Sequence, residues 1–276
     1  MVDPTRGILY PARLPSFTRV PPPAAAAELV VWFWIPEWDI AAGRSSRQEV
    51  VPYPASNLVV EVDAVGFAGP TTRASHQDLT GRGWAVGALL RPAATPSLAD
   101  PASAVDGYLP LELPDLHAAV AAAMTTSDQA ARHAAAATAF ADWLVRRVPP
   151  PGEEERLANA MADLLMTDAA VLRVEDAADR LAVSVRTLQR LARRYVGVTP
   201  SAMIRRRRLQ EAAQRVRRHP DSDLAAIAAD LGYADHAHLT NDFRAVLGFT
   251  PSRYRSSRPG ATPDDAQAVS RDPGRW

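Results

Sequence analysis

Several residue types and features are missing from this 276-residue sequence, and some of these absences exclude a class of function. There is no cysteine, which excludes disulfides, thiolate metal sites and thiol nucleophiles. No apolar run approaches the roughly 18 residues that a membrane-spanning helix needs, and the N-terminus lacks a basic segment followed by an apolar stretch. We therefore expect a cytoplasmic protein with no membrane partner.

Lysine is also absent, so arginine supplies all 31 basic residues, and these balance 31 acidic residues to a net charge of zero. The charges are nevertheless segregated along the chain. Residues 171–258 hold 17 Arg against nine acidic residues, a balance of +8, and the rest of the chain carries −8. Such asymmetry indicates a basic module for a polyanion joined to a module with another task.

The pattern of apolar residues along the sequence changes near residue 113. Before it, short apolar runs separated by Pro and Gly are typical of β-strands, and they lie at residues 29–35, 49–53, 57–62 and 84–90. After it, Ala-rich periodic segments predict amphipathic helices at residues 115–124, 127–148 and 153–166. The last of these opens with three acidic residues, which suit a helix N-terminus.

The run Pro149, Pro150, Pro151, Gly152 cannot continue a helix and is the best candidate for a domain boundary. We therefore predict an α+β fold, with a β-rich N-terminal domain with appended helices at residues 1–148 and an all-α domain at residues 153–258. The tail, residues 259–276, is rich in Pro, Asp, Gly and Ser and is predicted to be disordered.

An internal repeat is the most informative feature of the sequence. GVTPS at residues 197–201 recurs as GFTPS at residues 248–252, an offset of 51 residues. Further upstream the similarity continues at an offset of 50, so one copy has a one-residue change at a turn. Each copy predicts a short helix, a tight turn and a second helix.

In each copy a capping residue precedes the second helix, Ser184 in the first and Asp235 in the second, and Gly232 supplies the turn of the second copy. Each second helix buries an apolar stripe and turns polar side chains outward. The outward residues are Arg186, Thr187, Gln189, Arg190, Arg193 and Arg194 in the first copy and His236, His238, Thr240, Asn241 and Arg244 in the second.

These outward side chains are donors that suit the major groove of DNA, since Arg can form two hydrogen bonds with guanine, and Gln or Asn can do so with adenine. Two such helices would address major-groove segments about 10 base pairs apart on one face of the duplex. Arg205 to Arg208 lie on the helix that joins the copies. We expect them to hold phosphates, and an alternative is that their stems cover the core while their heads stay in water.

IAADLGYADHAHLTNDFRAVLGFTPSRYR, residues 227–255, resembles the C-terminal signature of AraC/XylS-type transcription regulators, and SVRTLQRLARRYVGVTP, residues 184–200, resembles their first recognition helix. The resemblance implies a bipartite, all-α domain that binds double-stranded DNA. It implies that Arg186, Gln189, Arg190, His236, Thr240 and Asn241 face the groove. Asn241 stands where the family usually has Arg, so the strength of the second unit's contacts stays open.

The N-terminal region resembles an uncharacterised domain carried by some AraC-type regulators, through LVVWFWIPEWD, YPASNLVVEV and GRGWAVGALLRP. Its aromatic cluster comprises Trp32, Phe33, Trp34, Trp38 and Trp84, and we expect core packing for most of the cluster. Trp34, Trp38 and Trp84 are also candidates to line a pocket for a small effector. Strand alternation would place Trp32 and Trp34 on one face and Phe33 on the other.

The sequence offers no convincing catalytic, cofactor or metal site. His236 and His238 fall on different faces of a helix without a third ligand. His76 and Asp78 lie close together but do not assemble into a nucleophile, a base and an orienting group.

The leading hypothesis is a DNA-binding regulator whose N-terminal domain senses a small-molecule effector, forms a homodimer, or does both, with RNA polymerase as a partner if it activates. One alternative is a purely dimerising or partner-binding N-terminal module, with residues 127–148 pairing between chains. Another is an enzyme fused to a DNA-binding domain, although DNA-repair proteins that accept alkyl groups on cysteine are excluded.

Overall fold

The structure is a computed structural model that describes residues 16–50, 52–219 and 222–256, and the predicted disordered tail lies outside these residues. The described strands are β1 Ser16–Val20, β2 Val30–Asp39, β3 Ser45–Val50, β4 Asn57–Glu61, β5 Val65–Ala68, β6 Ser75–Thr80, β7 Arg82–Leu90 and β8 Tyr108–Pro110. The described helices are α1 Pro114–Ala123, α2 Gln129–Arg147, α3 Glu153–Thr167, α4 Val174–Arg180, α5 Val185–Tyr195, α6 Pro200–Arg218, α7 Leu224–Asp230, α8 His236–Leu247 and α9 Pro251–Ser256.

Six strands form an antiparallel sheet in the order β1-β2-β7-β4-β5-β8, and α1 and α2 cover one of its faces. Alternation along β2 turns Phe33 and Ile35 into this core, where both are fully buried. The ring of Phe33 packs against that of Phe140 on α2 with centroids 5.5 Å apart. This arrangement confirms a β-rich N-terminal region with appended helices.

The expected packing of the aromatic cluster is wrong for three of its members. Trp32, Trp34 and Trp38 lie on the face of β2 opposite the core and are only partly buried. Trp84 packs against the edge of the core, and Phe33 alone among the five is fully buried. A strand has one core-facing side, so consecutive aromatic residues cannot all share it.

The predicted strand at residues 49–53 is also misplaced. The strand is β3, which begins at Ser45 and pairs with β6 in a separate two-stranded ribbon. Its sequence, SSRQEV, lacks the apolar run that the prediction relied on. Pro52 and Pro54 carry no amide hydrogen for a strand ladder, which accounts for the absence of strand at the described residues 52–54.

The C-terminal helices form two neighbouring cores, as the repeat predicts. The first core is formed by α3, α4, α5 and the start of α6. Its buried members include Met161, Leu165, Leu188, Leu191 and Tyr195. The second joins the far half of α6 to α7–α9, and its buried members include Leu209, Ile227, Leu239, Phe243 and Tyr254. Because α6 contributes to both cores, it fixes the two repeats relative to each other.

Helix α3 follows the Pro149–Gly152 run yet binds the N-terminal domain. The side chain of Asn159 accepts a hydrogen bond from the amide of Ala93 (3.0 Å) and donates one to the carbonyl oxygen of Glu28 (2.9 Å), and the residue is 7% exposed. Arg91 pairs with Asp163 at 2.9 Å. Among the described residues, no helix combines the length and apolar character that crossing a membrane requires.

Candidate nucleic-acid interface

The two repeats share their backbone turns. Ala182 and Gly232, 50 residues apart, both have positive φ, at 53° and 73°. Gly197 and Gly248, 51 residues apart, have φ of 88° and 80°. The left-handed region ends a helix and redirects the chain, so each repeat has the same helix, turn, helix and stop. The change of offset from 50 to 51 falls between the turn and the second helix, as the sequence predicts.

Side-chain caps fix where the second helix of each repeat begins. The hydroxyl of Ser184 accepts a hydrogen bond from the amide of Thr187 at 3.1 Å, and the carboxylate of Asp235 accepts one from the amide of His238 at 2.7 Å. These caps confirm the roles predicted for Ser184 and Asp235. They orient α5 and α8 by equivalent local interactions.

The repeated Thr-Pro-Ser sequence begins the helix that follows α5 and the helix that follows α8, a role that the sequence did not reveal. Thr199 caps α6 by accepting from the amide of Ala202 at 3.2 Å. Thr250 accepts from the amide of Arg253 at 3.2 Å at the start of α9. The proline follows at the first helical turn, where no amide hydrogen is needed.

The outward face of α5 is basic and exposed. Leu188, Leu191 and Tyr195 are buried on its other side. Thr187 is half-buried, with its hydroxyl oxygen 2.9 Å from that of Ser184. The exposed residues are Arg186, Gln189, Arg190, Arg193 and Arg194. In the described part of the chain, Arg186 and Arg193 form no ion pair.

Glu154, near the start of α3, pairs with two of these arginines. Its carboxylate oxygens lie 3.0 Å from Arg190 Nη1 and 3.1 Å from Arg194 Nη1. The hydroxyl of Tyr195 donates to Glu154 at 3.0 Å and to Glu155 at 2.9 Å. The hydrogen bond from Arg190 holds the pKa of Glu154 below its ordinary value, so the carboxylate is charged at neutral pH. This contact could not be predicted from the sequence because 36 residues separate Glu154 from Arg190.

The outward face of α8 is less basic. His236, His238, Asn241 and Arg244 are exposed, and Thr240 is half-buried. The ring of His238 lies edge-on to that of Tyr233, with centroids 5.2 Å apart. These five residues share α8 but carry a single arginine.

The four arginines at residues 205–208 have four different environments. Arg205 binds Asp242 of α8 through Nε at 2.8 Å and Nη2 at 2.5 Å, so it fastens α6 to α8. The guanidinium carbon of Arg208 lies 4.0 Å from the centre of the Tyr233 ring. Arg206 and Arg207 are 5% and 2% exposed.

The expectation that this whole group holds phosphates, or keeps its heads in water, is wrong for Arg206 and Arg207. Arg207 donates from Nη2 to the carbonyl oxygen of Val171 inside the domain. Four consecutive helical residues cover about 300° of the helix circumference, so some of them must face inward on a packed helix. Arg205 and Arg208 keep partial exposure and stay candidates for phosphate contact.

The three tryptophans predicted to line an effector pocket have other contacts. Trp34 Nε1 donates to Asn57 Oδ1 at 2.9 Å, and Trp38 Nε1 donates to the carbonyl oxygen of Thr80 at 3.2 Å. A cavity of about 180 Å³ lies between the N-terminal sheet and the C-terminal helices, and Trp32 lines it, whereas Trp34, Trp38 and Trp84 do not. Their ligand role stays a prediction.

Within the described residues, no cluster of three or more metal-ligating side chains is found. His76 and Asp78 lie on the exposed ribbon. Asp78 accepts two hydrogen bonds from Arg47, at 2.9 and 3.1 Å, and this contact lowers the pKa of its carboxyl group.

The fold and the caps therefore define a bipartite helix-turn-helix domain, and comparison with known proteins identifies its type. A family model described as a helix-turn-helix domain matches residues 177–257, and a model described as a domain of unknown function, DUF6597, matches residues 18–105. The chain carries an AraC-type helix-turn-helix domain behind an N-terminal DUF6597 domain.

Similar curated proteins include the HTH-type transcriptional activator RhaS of Escherichia fergusonii, 35% identical over 105 residues. That match covers 38% of this chain and 37% of the relative. RhaS of Pectobacterium carotovorum is 35% identical over 78 residues, or 28% of each chain. The matches thus span 28–37% of the length of these curated relatives.

Among solved structures, ToxT from Vibrio cholerae is 10% identical, with a TM-score of 0.43, over 81% of this chain and 97% of that one. A TM-score this low does not establish a common arrangement of the whole chain.

Proposed function

We propose that the protein is a transcription regulator that binds specific double-stranded DNA through α5 and α8. The observation that supports this proposal best is the repeated geometry. Each of these helices begins at a side-chain cap, ends before a left-handed glycine, and exposes hydrogen-bonding side chains opposite its buried stripe. A helix of this kind fits the major groove, where such side chains distinguish bases.

The roles follow from exposure and from existing contacts. Arg186, Gln189 and Arg193 form the open centre of the α5 face and are assigned to bases or adjacent phosphates. On DNA binding, Arg190 and Arg194 would leave the carboxylate of Glu154 and contact DNA instead. On α8, we assign base contacts to His236, Thr240 and Asn241, with His238 and Arg244 beside them. Arg205, which binds Asp242 of α8, and Arg208 are assigned to phosphates.

The N-terminal domain is assigned a controlling role, through a small-molecule effector, homodimerisation, or both. The contacts of α3 with Ala93 and Glu28 support this role, because they join the N-terminal domain to the helix α3, which shares a core with α5. We place the division between residues 148 and 153. The RhaS relatives are named activators, which supports activation, with RNA polymerase as a partner and the cytoplasm as the place of action.

Two other functions make different predictions. A purely dimerising N-terminal domain would give the protein a constant dimer mass, and this mass would not respond to small molecules. An enzyme fused to a DNA-binding domain would show turnover in full-length protein. The relatives are transcription regulators, so regulation is the better supported function.

Selection of bound oligonucleotides by the full-length protein, followed by mobility shift at several salt concentrations, tests the proposal. We expect an enriched site with two half-sites about 10 base pairs apart, and an affinity that falls steeply with salt because phosphate contacts release counterions. The control variant is Arg218→Ala, which removes an exposed side chain at the end of α6. The absence of any sequence-preferring complex at low salt would refute the proposal.

A further inference from the structure

Asp242 places a carboxylate at a position of α8 that belongs to the apolar core in the other repeat. At the offset of 51 residues that relates α5 to α8, Asp242 corresponds to Leu191, which is fully buried in the first core. Asp242 is also buried, at 8% exposure. An ion pair in a protein interior is often no more stabilising than apolar residues of similar volume. Stability alone therefore does not explain an aspartate at this position.

The carboxylate of Asp242 is bound at two points by Arg205 of α6. Arg205 Nε lies 2.8 Å from Asp242 Oδ2, and Nη2 lies 2.5 Å from Oδ1. Two parallel hydrogen bonds between planar groups fix the angle between their side chains as well as the distance, which an apolar contact does not. The contact therefore defines how α8 is oriented on α6.

A second contact joins α6 to the same helix-turn-helix unit. Arg208 lies three residues after Arg205, on the same side of α6, and its guanidinium carbon is 4.0 Å from the centre of the Tyr233 ring. Tyr233 follows the glycine turn and is 5% exposed. The ring of His238, on the outward face of α8, packs edge-on against Tyr233 with centroids 5.2 Å apart. Helix α6 thus contacts the turn through one arginine and α8 through the other.

Helix α6 carries this orientation to the first unit. Met203 and Ile204 belong to the core that contains α5, and Leu209 belongs to the core that contains α8. Arg205 lies between these residues, at the point where α6 passes from one core to the other. A rotation of α8 about this point would change the distance and angle between α5 and α8.

We propose that Asp242 is a positioning residue: through Arg205 it fixes α8 relative to α5, and thereby sets the spacing between the two half-sites that the protein accepts. Two rigidly joined units gain affinity from each other only at the spacing that matches their geometry. The outward face of α8 carries one arginine, Arg244, so the second unit depends strongly on this gain. The spacing rests on the proposed DNA-binding function, whereas the fixed orientation of α8 is measurable without DNA.

The distance between α5 and α8 in DNA-free, full-length protein tests the orientation. Because the chain has no cysteine, Gln189→Cys on α5 and Ala245→Cys on α8 give two labelling sites, and both residues are exposed. Spin labels at these sites report the distribution of distances between the two helices. We expect a narrow distribution in the labelled parent and a broader one in Asp242→Leu, which carries the residue of the first repeat. Equally narrow distributions would overturn the positioning role.

Asp242→Leu is expected to fold, since the side chain of Arg205 is 48% exposed and can return to water. Asp242→Asn, which keeps the shape and removes the charge, is the second variant and should also broaden the distribution. The matched control is Asp230→Asn. It breaks another ion pair between α6 and the second unit, with Arg215 at 3.0 Å, but the Asp230 side chain is 68% exposed, and such pairs contribute little. Equal broadening by Asp230→Asn and Asp242→Asn would overturn the role of the buried pair.

Mobility shift on versions of the selected site with base pairs inserted between the half-sites tests the spacing. A two-base-pair insertion should cost the parent about tenfold in affinity and Asp242→Leu about threefold or less, because a loosely held α8 adapts to more spacings. The ratio of affinities is compared because a phosphate contact of Arg205 would change affinity at every spacing alike. Equal ratios in the parent and in Asp242→Leu would overturn the link to half-site spacing.

The two measurements separate this inference from the proposed function. If the parent prefers no DNA sequence while Asp242→Leu broadens the distance distribution, the proposed function fails and the positioning role stands. If the parent selects a two-part site and Asp242→Leu changes neither the distribution nor the spacing ratio, the proposed function stands and the inference is overturned.

Discussion

The two helix-turn-helix units contact the N-terminal domain differently: α4–α5 abuts it at Gly197, whereas in α7–α8 the carbonyl oxygen of Val246 accepts a hydrogen bond from the amide of Ala74 at 2.9 Å. Gly197, at the end of the first unit, abuts the backbone of Pro101, while nothing described lies within 4 Å of the corresponding position at Gly248. Glu154 pairs with two arginines of α5, and no described carboxylate pairs with Arg244 on α8. Both units therefore touch the N-terminal domain, but among the described residues only the outward arginines of the first pair with a carboxylate, and we expect control to act on the first unit.

Substituting the two equivalent glycines should give the largest difference between the units. Gly197→Ala adds a Cβ atom to a residue whose φ lies in the left-handed region, and this atom would clash with the Pro101 carbonyl group. We therefore expect a loss of stability on the order of 3 kcal/mol. Gly248→Ala incurs only the backbone strain, about 1 kcal/mol. Urea unfolding of the two variants measures both values. Equal losses would show that the contact with Pro101 does not constrain the first unit.

Removing one outward side chain from each unit should have a smaller effect, confined to DNA binding. We expect Arg190→Ala to cost about 1–3 kcal/mol at one base pair of the first half-site if its contact is bidentate, and Asn241→Ala to act in the same way on the second. Binding to single-base variants of the selected site measures the loss. A uniform loss on every sequence would instead assign Arg190 to phosphate.

Freeing the arginines of α5 should have the smallest effect, and the opposite sign. Glu154→Gln removes the charge that pairs with Arg190 and Arg194, and exposed ion pairs of this kind contribute about 0.2–1 kcal/mol. DNA affinity should therefore rise by a few fold at low salt, and the gain should shrink as salt screens the charges. Glu153→Gln, on the same turn but without an ion pair among the described residues, is the control. Unchanged or weaker binding by Glu154→Gln would show that Glu154 does not compete with DNA.

The repeated unit could be predicted from the sequence because its determinants are local. Spacing alone located the caps at Ser184 and Asp235, the glycine turn, and the buried stripes of α5 and α8. Bounds of α1, α2 and α3 were predicted to within about two residues for the same reason, since apolar period and breakers act over one or two turns. The AraC-type resemblance was carried by these same local features.

Features that depend on distant residues were missed. The polar ribbon of β3 and β6 has no apolar run, and its strands are fixed by pairing across the chain, as between Arg47 and Asp78. Glu154 meets Arg190 only because α3 and α5 share a core. The burial of Arg206 could have been suspected from four consecutive arginines on one helix, but which of them faces inward depends on what packs against α6.

The position of Asn159 restricts how this protein could have been assembled in evolution. Its amide group satisfies one backbone donor and one backbone acceptor of the N-terminal domain. If recombination joined a different domain ahead of α3, the buried amide of Asn159 would lose its hydrogen-bond partners. The loss of stability would be about 1–3 kcal/mol unless the new domain offered the same donor and acceptor. A recombination that kept α3 together with its original N-terminal domain would avoid that loss of stability. We therefore expect the segment that is exchanged as one piece to extend past the proline run and to include α3.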